Sequence, residues 1–191
     1  MKKVILLSGP YGVGKTTLAN NLVNVLDNTV MFDGEWAWFQ GNNWNFSQEN
    51  KAMALKNICY VLTSFLNNSQ FDNIVFSWVM HKQEDHDFII NSLKNSGIMF
   101  ELFNISLIAD EKTIEHRLKK RISSKATEFN AFYDSEAIDK AVAGSLNKLN
   151  QIIKLDTIKV NVSNKDQEQV LNEVLDLVGL NKRNGKVYIK H

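Results

Sequence analysis

One eight-residue segment constrains the fold of this chain more than any other. Residues 9–16 read Gly-Pro-Tyr-Gly-Val-Gly-Lys-Thr and fit the pattern G-x-x-x-x-G-K-[ST] in full. The segment follows a short apolar run at 4–8 and precedes apolar residues at helical spacing over 15–26. Glycines let successive backbone N–H groups curl around an anion, and the N-terminus of the helix adds its dipole. We therefore expect a strand, a turn and a helix that together bind phosphate groups.

The side chains of this turn predict how a nucleotide is held. Lys15 can reach the β- and γ-phosphates, and the Thr16 hydroxyl can ligate Mg²⁺. A glycine-rich turn that only connects a strand to a helix is the alternative, but the complete pattern in this position favours binding. The residues expected to contact the nucleotide are Gly9, Tyr11, Gly12, Val13, Gly14, Lys15, Thr16 and Thr17.

Composition places the chain among ordinary globular proteins. It has 191 residues, 44% apolar and 23% charged, and a net charge of +1, which argues against a broad basic surface for nucleic acid. The single cysteine, Cys59, excludes an internal disulfide framework and a cysteine-based zinc site. The apolar start at 4–7 is too short for a signal peptide, and no run is long enough to span a bilayer. These features predict a soluble cytoplasmic protein that does not bind a membrane.

The rest of the chain alternates strands with helices. Strands are predicted at 4–8, 29–32, 73–80, 100–109 and 157–162, and helices at 15–26, 49–66, 84–95, 110–121, 135–153 and 167–178. This alternation is typical of a parallel sheet with helices on both faces. A polar stretch at 123–134 is predicted to be a loop, and the tail at 180–191 has no assigned role.

Three features together resemble the P-loop kinases, the superfamily of adenylate, shikimate and gluconate kinases. They are the phosphate-binding turn, the Asp33-Gly34-Glu35 segment, and two arginines four residues apart at Arg117 and Arg121. The resemblance covers residues 1–179 in layout. It implies a three-layer α/β P-loop NTPase fold with a five-stranded parallel sheet in the order 2-3-1-4-5. It also implies a mobile lid at about 122–135, with ATP and Mg²⁺ as cofactors.

An acidic segment at the end of the second strand predicts the acceptor side of the site. Ligands of open parallel sheets bind at the carboxyl ends of strands, where a carboxylate can take the proton of an attacking hydroxyl. Asp33 and Glu35 are similar to the substrate-side acid of adenylylsulfate kinase and chloramphenicol phosphotransferase, although Asp-Gly is also a common turn pair. Ser77 stands where classical P-loop ATPases carry an acid, which leaves Thr16, water and Asp33 as candidates for the Mg²⁺ shell.

The two arginines and the fifth strand predict the remaining nucleotide contacts. Arg117 and Arg121 share one helix face, and only three arginines occur in the chain. The resemblance implies that Arg117 lies at the adenine or α-phosphate and that Arg121 contacts the transferring phosphoryl group; a solvated basic face is the alternative. The same resemblance implies that Ser163 and Asn164 contact the edge of the adenine base. Lys125 is the one basic residue of the predicted lid.

Aromatic residues follow the acidic segment at high density. They are Trp36, Trp38, Phe39, Trp44 and Phe46, and they either form the apolar wall of an acceptor pocket or cover the sheet as core. Trp78 and His81, near the end of the third strand, are predicted to join this pocket from the side. The separation of His81 and His86 does not suit a metal site on one helix face, so a solvated helix start is favoured for them.

The predicted function is the transfer of the γ-phosphoryl group of ATP to a hydroxyl of a small molecule. The proposed catalytic residues are Lys15, Asp33 and Arg121. The aromatic segment suits a nucleoside, a nucleotide or an aromatic hydroxylated acceptor. Two alternatives stay open: a nucleoside monophosphate kinase, which would need more arginines, and a nucleotide-binding regulatory module, which the serine at position 77 favours. The sequence does not indicate the oligomeric state.

Overall fold

The described residues form five strands and six α-helices, which alternate except where two helices follow one another before the last strand. The computed structural model describes residues 1–38, 45–129 and 135–182, with the backbone alone at 122–129 and 135. The strands are β1 (Lys2–Ser8), β2 (Thr29–Asp33), β3 (Asn73–Ser77), β4 (Phe100–Ile108) and β5 (Ile158–Asn161). The helices are α1 (Lys15–Val25), α2 (Gln48–Asn67), α3 (Gln83–Lys94), α4 (Glu111–Phe129), α5 (Ser135–Ile152) and α6 (Gln167–Leu177), and a short 3₁₀ helix spans Gly34–Trp38.

The strands form one parallel sheet in the order β2-β3-β1-β4-β5, which confirms the predicted fold class. In this order β1 lies at the centre, and the glycine-rich turn leaves its carboxyl end between β3 and β4. Asp33, the last residue of β2, pairs with Ser77, the last residue of β3. The register therefore brings the acidic segment to the sheet edge from which the phosphate-binding turn emerges.

Both faces of the sheet are covered, which explains the continuous apolar run in β1. Ile5 and Leu7 point into a core that includes residues of α1 and α6. Val4 and Leu6 point the other way, into a core that includes residues of α2 and α3. The helices show the amphipathic spacing expected for this packing. Within the described ranges, none of them combines the length and apolarity required to cross a bilayer.

Two predicted boundaries were wrong. The loop prediction at 123–134 fails over its first part, since α4 continues through Phe129 and residues 122–129 contain neither glycine nor proline to end it. Residues 130–134 lie outside the described part of the chain. The strand predicted at 73–80 ends at Ser77, where its pairing with β1 ends at Leu7 and its pairing with β2 ends at Asp33.

Candidate active site

The glycine-rich turn adopts a backbone that larger residues would strain. Gly12 has a φ of 81°, and a Cβ atom there would lie 2.8 Å from Cγ of Leu118 on α4. Glycine is required at this position both for the left-handed backbone and for the close approach of α4. Gly14, the residue before α1, is its N-cap, so the turn ends at the positive end of that helix. The local geometry is that of an anion-binding loop.

Lys15 is folded back onto this turn. Its Nζ donates hydrogen bonds to the carbonyl oxygens of Gly9 at 3.0 Å and Pro10 at 2.9 Å, and the side chain is buried. Burial lowers the pKa of Lys15 to about 8, and the negative charges of Asp33 and Glu35 oppose that change. An ammonium group in this position is held at the loop by neutral carbonyls, so its charge is available to an incoming phosphate.

Asp33 joins three parts of the chain through its carboxylate. Oδ2 accepts hydrogen bonds from the Thr16 hydroxyl at 3.0 Å and from the Ser77 hydroxyl at 3.3 Å. Oδ1 accepts from the backbone N–H of Glu35 at 3.1 Å. The carboxylate is buried, and these donors keep its oxygens beside the first turn of α1. The structure thus brings together the predicted phosphate-binding hydroxyl and the predicted acceptor-side acid.

This arrangement suits a magnesium ion held in part by the nucleotide. Mg²⁺ prefers oxygen ligands and is usually bound by one or two carboxylates together with waters and phosphate oxygens. The Thr16 hydroxyl and the Asp33 carboxylate are two such oxygens in direct contact. Elsewhere in the described residues, no group of three or more histidine, cysteine or acidic side chains forms a metal cage. These two oxygens fit a Mg²⁺ ion that binds together with the phosphates of a nucleotide.

Charged side chains from four elements act on Glu35. Burial raises the pKa of Glu35, and the negative charge of the neighbouring Asp33 adds to that rise. Lys15, Arg121 and Lys148 act in the opposite direction. The structure therefore places the predicted Arg121 within electrostatic reach of the phosphate loop and the acidic segment.

A cavity of about 270 Å³ opens beside the glycine-rich turn, between α1, α4 and the start of α6. Arg117 lines it and donates hydrogen bonds to the carbonyl oxygens of Val13 at 2.9 Å and Val162 at 3.4 Å. These bonds connect the phosphate loop to the end of β5. The other lining residues are Gly12, Val13, Gly14, Thr17, Leu18, Asn21, Leu107, Val162, Lys165, Asp166, Gln167 and Val170.

The predicted adenine contacts lie at the rim of this cavity and do not line it. Ser163 accepts a hydrogen bond from the backbone N–H of Asp110 through its hydroxyl at 2.7 Å. Asn164 has a left-handed backbone with a φ of 57°. Their neighbours Val162 and Lys165 line the cavity in their place.

The aromatic residues divide between core and surface. Trp78, 9% exposed, belongs to the core on the α2 and α3 face, where its ring lies 6.1 Å from that of Trp38 and 6.5 Å from that of Phe76. The side chain packs across Gly34, and its role as a pocket residue stays a prediction. Trp36 is 62% exposed beside Glu35, and Phe46 is also exposed. Phe39 and Trp44 lie outside the described residues.

The two histidines have different environments. His81 follows β3, is partly exposed, and has Nδ1 3.5 Å from the carbonyl oxygen of Val79. His86 is fully buried, with Nδ1 2.9 Å from Oδ1 of Asn104 and Nε2 3.3 Å from the carbonyl oxygen of Met80. The prediction of a solvated helix start was wrong for His86, because its polar partners on β4 and after β3 allow it to enter the core.

Sequence reasoning missed two residues of α5. The Ser145 hydroxyl donates to the carbonyl oxygen of Tyr11 at 2.8 Å, and Lys148 Nζ lies 5.0 Å from the centre of the Tyr11 ring. Burial raises the pKa of Tyr11 to about 12, so the ring remains neutral. Nothing in the local sequence marks Lys148, which is one of many lysines; only the packing of α5 brings it to the loop.

Comparison with known proteins agrees with this geometry. A family model described as AAA domain matches residues 5–144, and the chain belongs to that family. The comparison with curated proteins gives no significant match. The solved structures that resemble the chain share its P-loop kinase fold.

Solved structures resemble the whole chain at low sequence identity. The tunicamycin resistance protein of Deinococcus radiodurans is 17% identical, with 97% of this chain and 100% of that chain covered and a TM-score of 0.63. A gluconokinase from Sinorhizobium meliloti is 16% identical, with 93% and 91% covered and a TM-score of 0.64. The APS kinase of Mycobacterium tuberculosis is 16% identical, with 93% and 98% covered and a TM-score of 0.59. These likenesses show the shared fold.

Proposed function

We propose that this protein is an ATP-dependent kinase that transfers the γ-phosphoryl group to a hydroxyl of a small-molecule acceptor. The observation that carries the proposal is the position of Asp33, whose carboxylate accepts a hydrogen bond from Thr16 at 3.0 Å. A carboxylate here lies beside the residue that would ligate Mg²⁺, where an acceptor can approach the phosphate. The same edge of the sheet also carries Lys15.

In this proposal the glycine-rich turn and α4 bind the nucleotide. The loop amides and Lys15 stabilise the charge that spreads over the β,γ-bridge, which is the main task in phosphoryl transfer. Thr16 and Asp33 hold Mg²⁺, which neutralises the phosphate oxygens when bound. Arg121 balances charge at the transferring group, and Arg117 lines the cavity that receives the nucleoside. ATP and Mg²⁺ are the cofactors of this proposal.

Asp33 is also our candidate for the acceptor-side base. Within the described residues, Oδ1 of Asp33 accepts one hydrogen bond, from the Glu35 N–H, whereas Oδ2 accepts hydrogen bonds from two hydroxyls. An acceptor hydroxyl can therefore donate to Oδ1 while Oδ2 faces Thr16. Burial raises the pKa of the nearby Glu35, and the negative charge of Asp33 adds to that rise. Proton removal by a placed carboxylate is ordinary general base catalysis.

The acceptor would bind beside the 3₁₀ helix that follows β2. Trp36 and Phe46 are exposed there, and Trp38 lies behind them with its ring 5.4 Å from that of Phe46. Flat apolar surfaces next to a carboxylate suit a nucleoside, a nucleotide or an aromatic hydroxylated compound. His81 reaches the same edge of the sheet from the end of β3. The similar structures include a gluconokinase and an APS kinase solved with AMPPNP and APS, which supports a small-molecule acceptor.

The regulatory alternative rested on the serine at position 77. In the structure, the Ser77 hydroxyl donates to the Asp33 carboxylate at 3.3 Å. Asp33 would thus supply the acid that β3 lacks, and this supports a kinase. A nucleoside monophosphate kinase would need further arginines for the acceptor phosphate, and the chain has only three in all.

An acceptor panel tests the proposal. ADP release from Mg-ATP is measured with nucleosides, nucleoside monophosphates and hydroxylated antibiotics, and Lys15→Ala serves as the blank. We expect one class to stimulate ADP release by the wild-type protein and none to stimulate the variant. Tight ATP binding with the same slow ADP release for every compound would contradict a kinase and support a regulatory module.

A further inference from the structure

Helix α5 reaches the glycine-rich turn through two residues on one face. Ser145 and Lys148 are three apart and therefore neighbours on the helix surface. The fully buried Ser145 hydroxyl donates to the carbonyl oxygen of Tyr11 at 2.8 Å. This bond ties α5 to the backbone of the turn and fixes where Lys148 stands relative to it.

Two ammonium groups lie near the Tyr11 ring. Lys148 Nζ is 5.0 Å from the centre of the ring, and Lys15 Nζ is 5.8 Å from the same point. Attraction between a cation and an aromatic face operates within about 6 Å. Both groups are positively charged and therefore repel each other. The ring therefore holds Lys148 at a position that repulsion between the lysines opposes.

Lys15 and Lys148 bring two positive charges to the Tyr11 ring. The Asp33 carboxylate already accepts three hydrogen bonds. Within the described residues, none of the ion pairs involves Lys15 or Lys148. An anion with several charges would reduce the repulsion between Lys15 and Lys148. The terminal phosphate of a nucleotide is such an anion.

We propose that Lys148 binds the terminal phosphate of the nucleotide and that the Tyr11 ring positions it for this contact. The inference rests on the proposed function, since it assigns a new residue to the same nucleotide site. Lys148 then supplies a cation from α5 in addition to those supplied by the turn and by α4. A contact to the terminal phosphate distinguishes nucleoside triphosphates from diphosphates, which gives the proposal a direct test.

Calorimetric titration of AMPPNP and ADP measures that distinction. For Lys148→Met we expect AMPPNP affinity to fall about 10-fold or more, the usual effect of losing one charged hydrogen bond, while ADP affinity changes little. Lys148→Arg keeps the charge and should bind AMPPNP nearly as the wild type does. Lys140→Met is the matched control, because Lys140 lies on the same helix, is exposed and pairs with Glu136. This control should leave both affinities unchanged.

Substitutions of the ring test the positioning role. Tyr11→Phe keeps the aromatic face and should retain the preference for AMPPNP, whereas Tyr11→Leu removes the face and should lose it. Circular dichroism and thermal unfolding confirm that each variant is folded.

Three results would overturn the inference. Equal losses for AMPPNP and ADP would show a general structural effect, and unchanged AMPPNP binding by Lys148→Met would show that this lysine makes no phosphate contact. In both cases wild-type nucleotide binding leaves the proposed function standing. If the wild-type protein binds neither nucleotide, the proposed function itself fails and this inference fails with it.

Discussion

Gly34 offers a quantitative test of how the acidic segment is built. A Cβ atom at this position would lie 2.4 Å from Cγ of Trp78 and 2.7 Å from both Cβ and Cδ1 of the same residue. The closest approach is about 1 Å shorter than ordinary van der Waals contact. Gly34 follows Asp33 directly, so any shift of this backbone also moves the candidate base.

Trp78 has little freedom to relieve this overlap. Its own Cβ is one of the atoms in contact, and the position of a Cβ atom is fixed by the backbone and does not change with the side-chain rotamer. The backbone N–H of Trp78 donates to the carbonyl oxygen of Leu7 at 3.0 Å, and the Trp78 ring packs against Trp38 and Phe76. Gly34→Ala should therefore separate β2 from β3 and lower the free energy of unfolding by about 1–3 kcal/mol or more, the usual range for overpacking.

Urea denaturation of two alanine variants measures the effect. Gly34→Ala should lower the free energy of unfolding by the amount given above and should slow phosphoryl transfer. Gly144→Ala is the matched control, since Gly144 lies inside α5 and a Cβ there meets nothing within 4 Å. Removing a helical glycine should stabilise the protein by roughly 0.5–1 kcal/mol. If Gly34→Ala were as stable as the wild type, the packing argument would be wrong.

Three further predictions concern proton transfer and charge. Asp33→Asn should slow transfer by roughly 10²-fold or more at saturating Mg-ATP, as measured by single-turnover kinetics; normal transfer would exclude its role as base. ATP affinity should fall as pH rises through about 8, because Lys15 loses its charge there; in titrations across this range Lys15→Met should show no such fall. Burial lowers the pKa of His86, so the unfolded chain binds the proton more readily and stability should decline as pH falls below 6.5. Urea denaturation at several pH values should show a weaker decline for His86→Gln, and an equal decline would contradict the assignment.

The sheet and the phosphate loop could be predicted because their signals are local. The apolar run of β1, the glycines after it and the helical spacing that follows all lie within residues 4–26. The strand order was implied by the resemblance to P-loop kinases, and the structure confirms that order. Asp33 was predicted from its place at a strand end, and the register of β2 on β3 brings it to Thr16 as expected.

Local sequence does not show what distant packing decides. The absence of a side chain at Gly34 lets the Trp78 ring enter the core, and its role in the acceptor pocket stays a prediction. His86 looked like a solvated residue beside charged neighbours, and Asn104 on β4 provides the partner that permits burial. Lys148 lies far from Tyr11 in sequence, and no local pattern separates it from the other lysines.

The product of the reaction gives the most direct test of the central claim. The wild-type protein is incubated with Mg-ATP and the acceptor that most stimulates ADP release, and the acceptor is then examined by mass spectrometry. The account predicts that the acceptor gains one phosphoryl group with the wild-type protein and none with Lys15→Ala. Release of ADP and inorganic phosphate with an unchanged acceptor would show ATP hydrolysis without transfer and would contradict the proposed kinase.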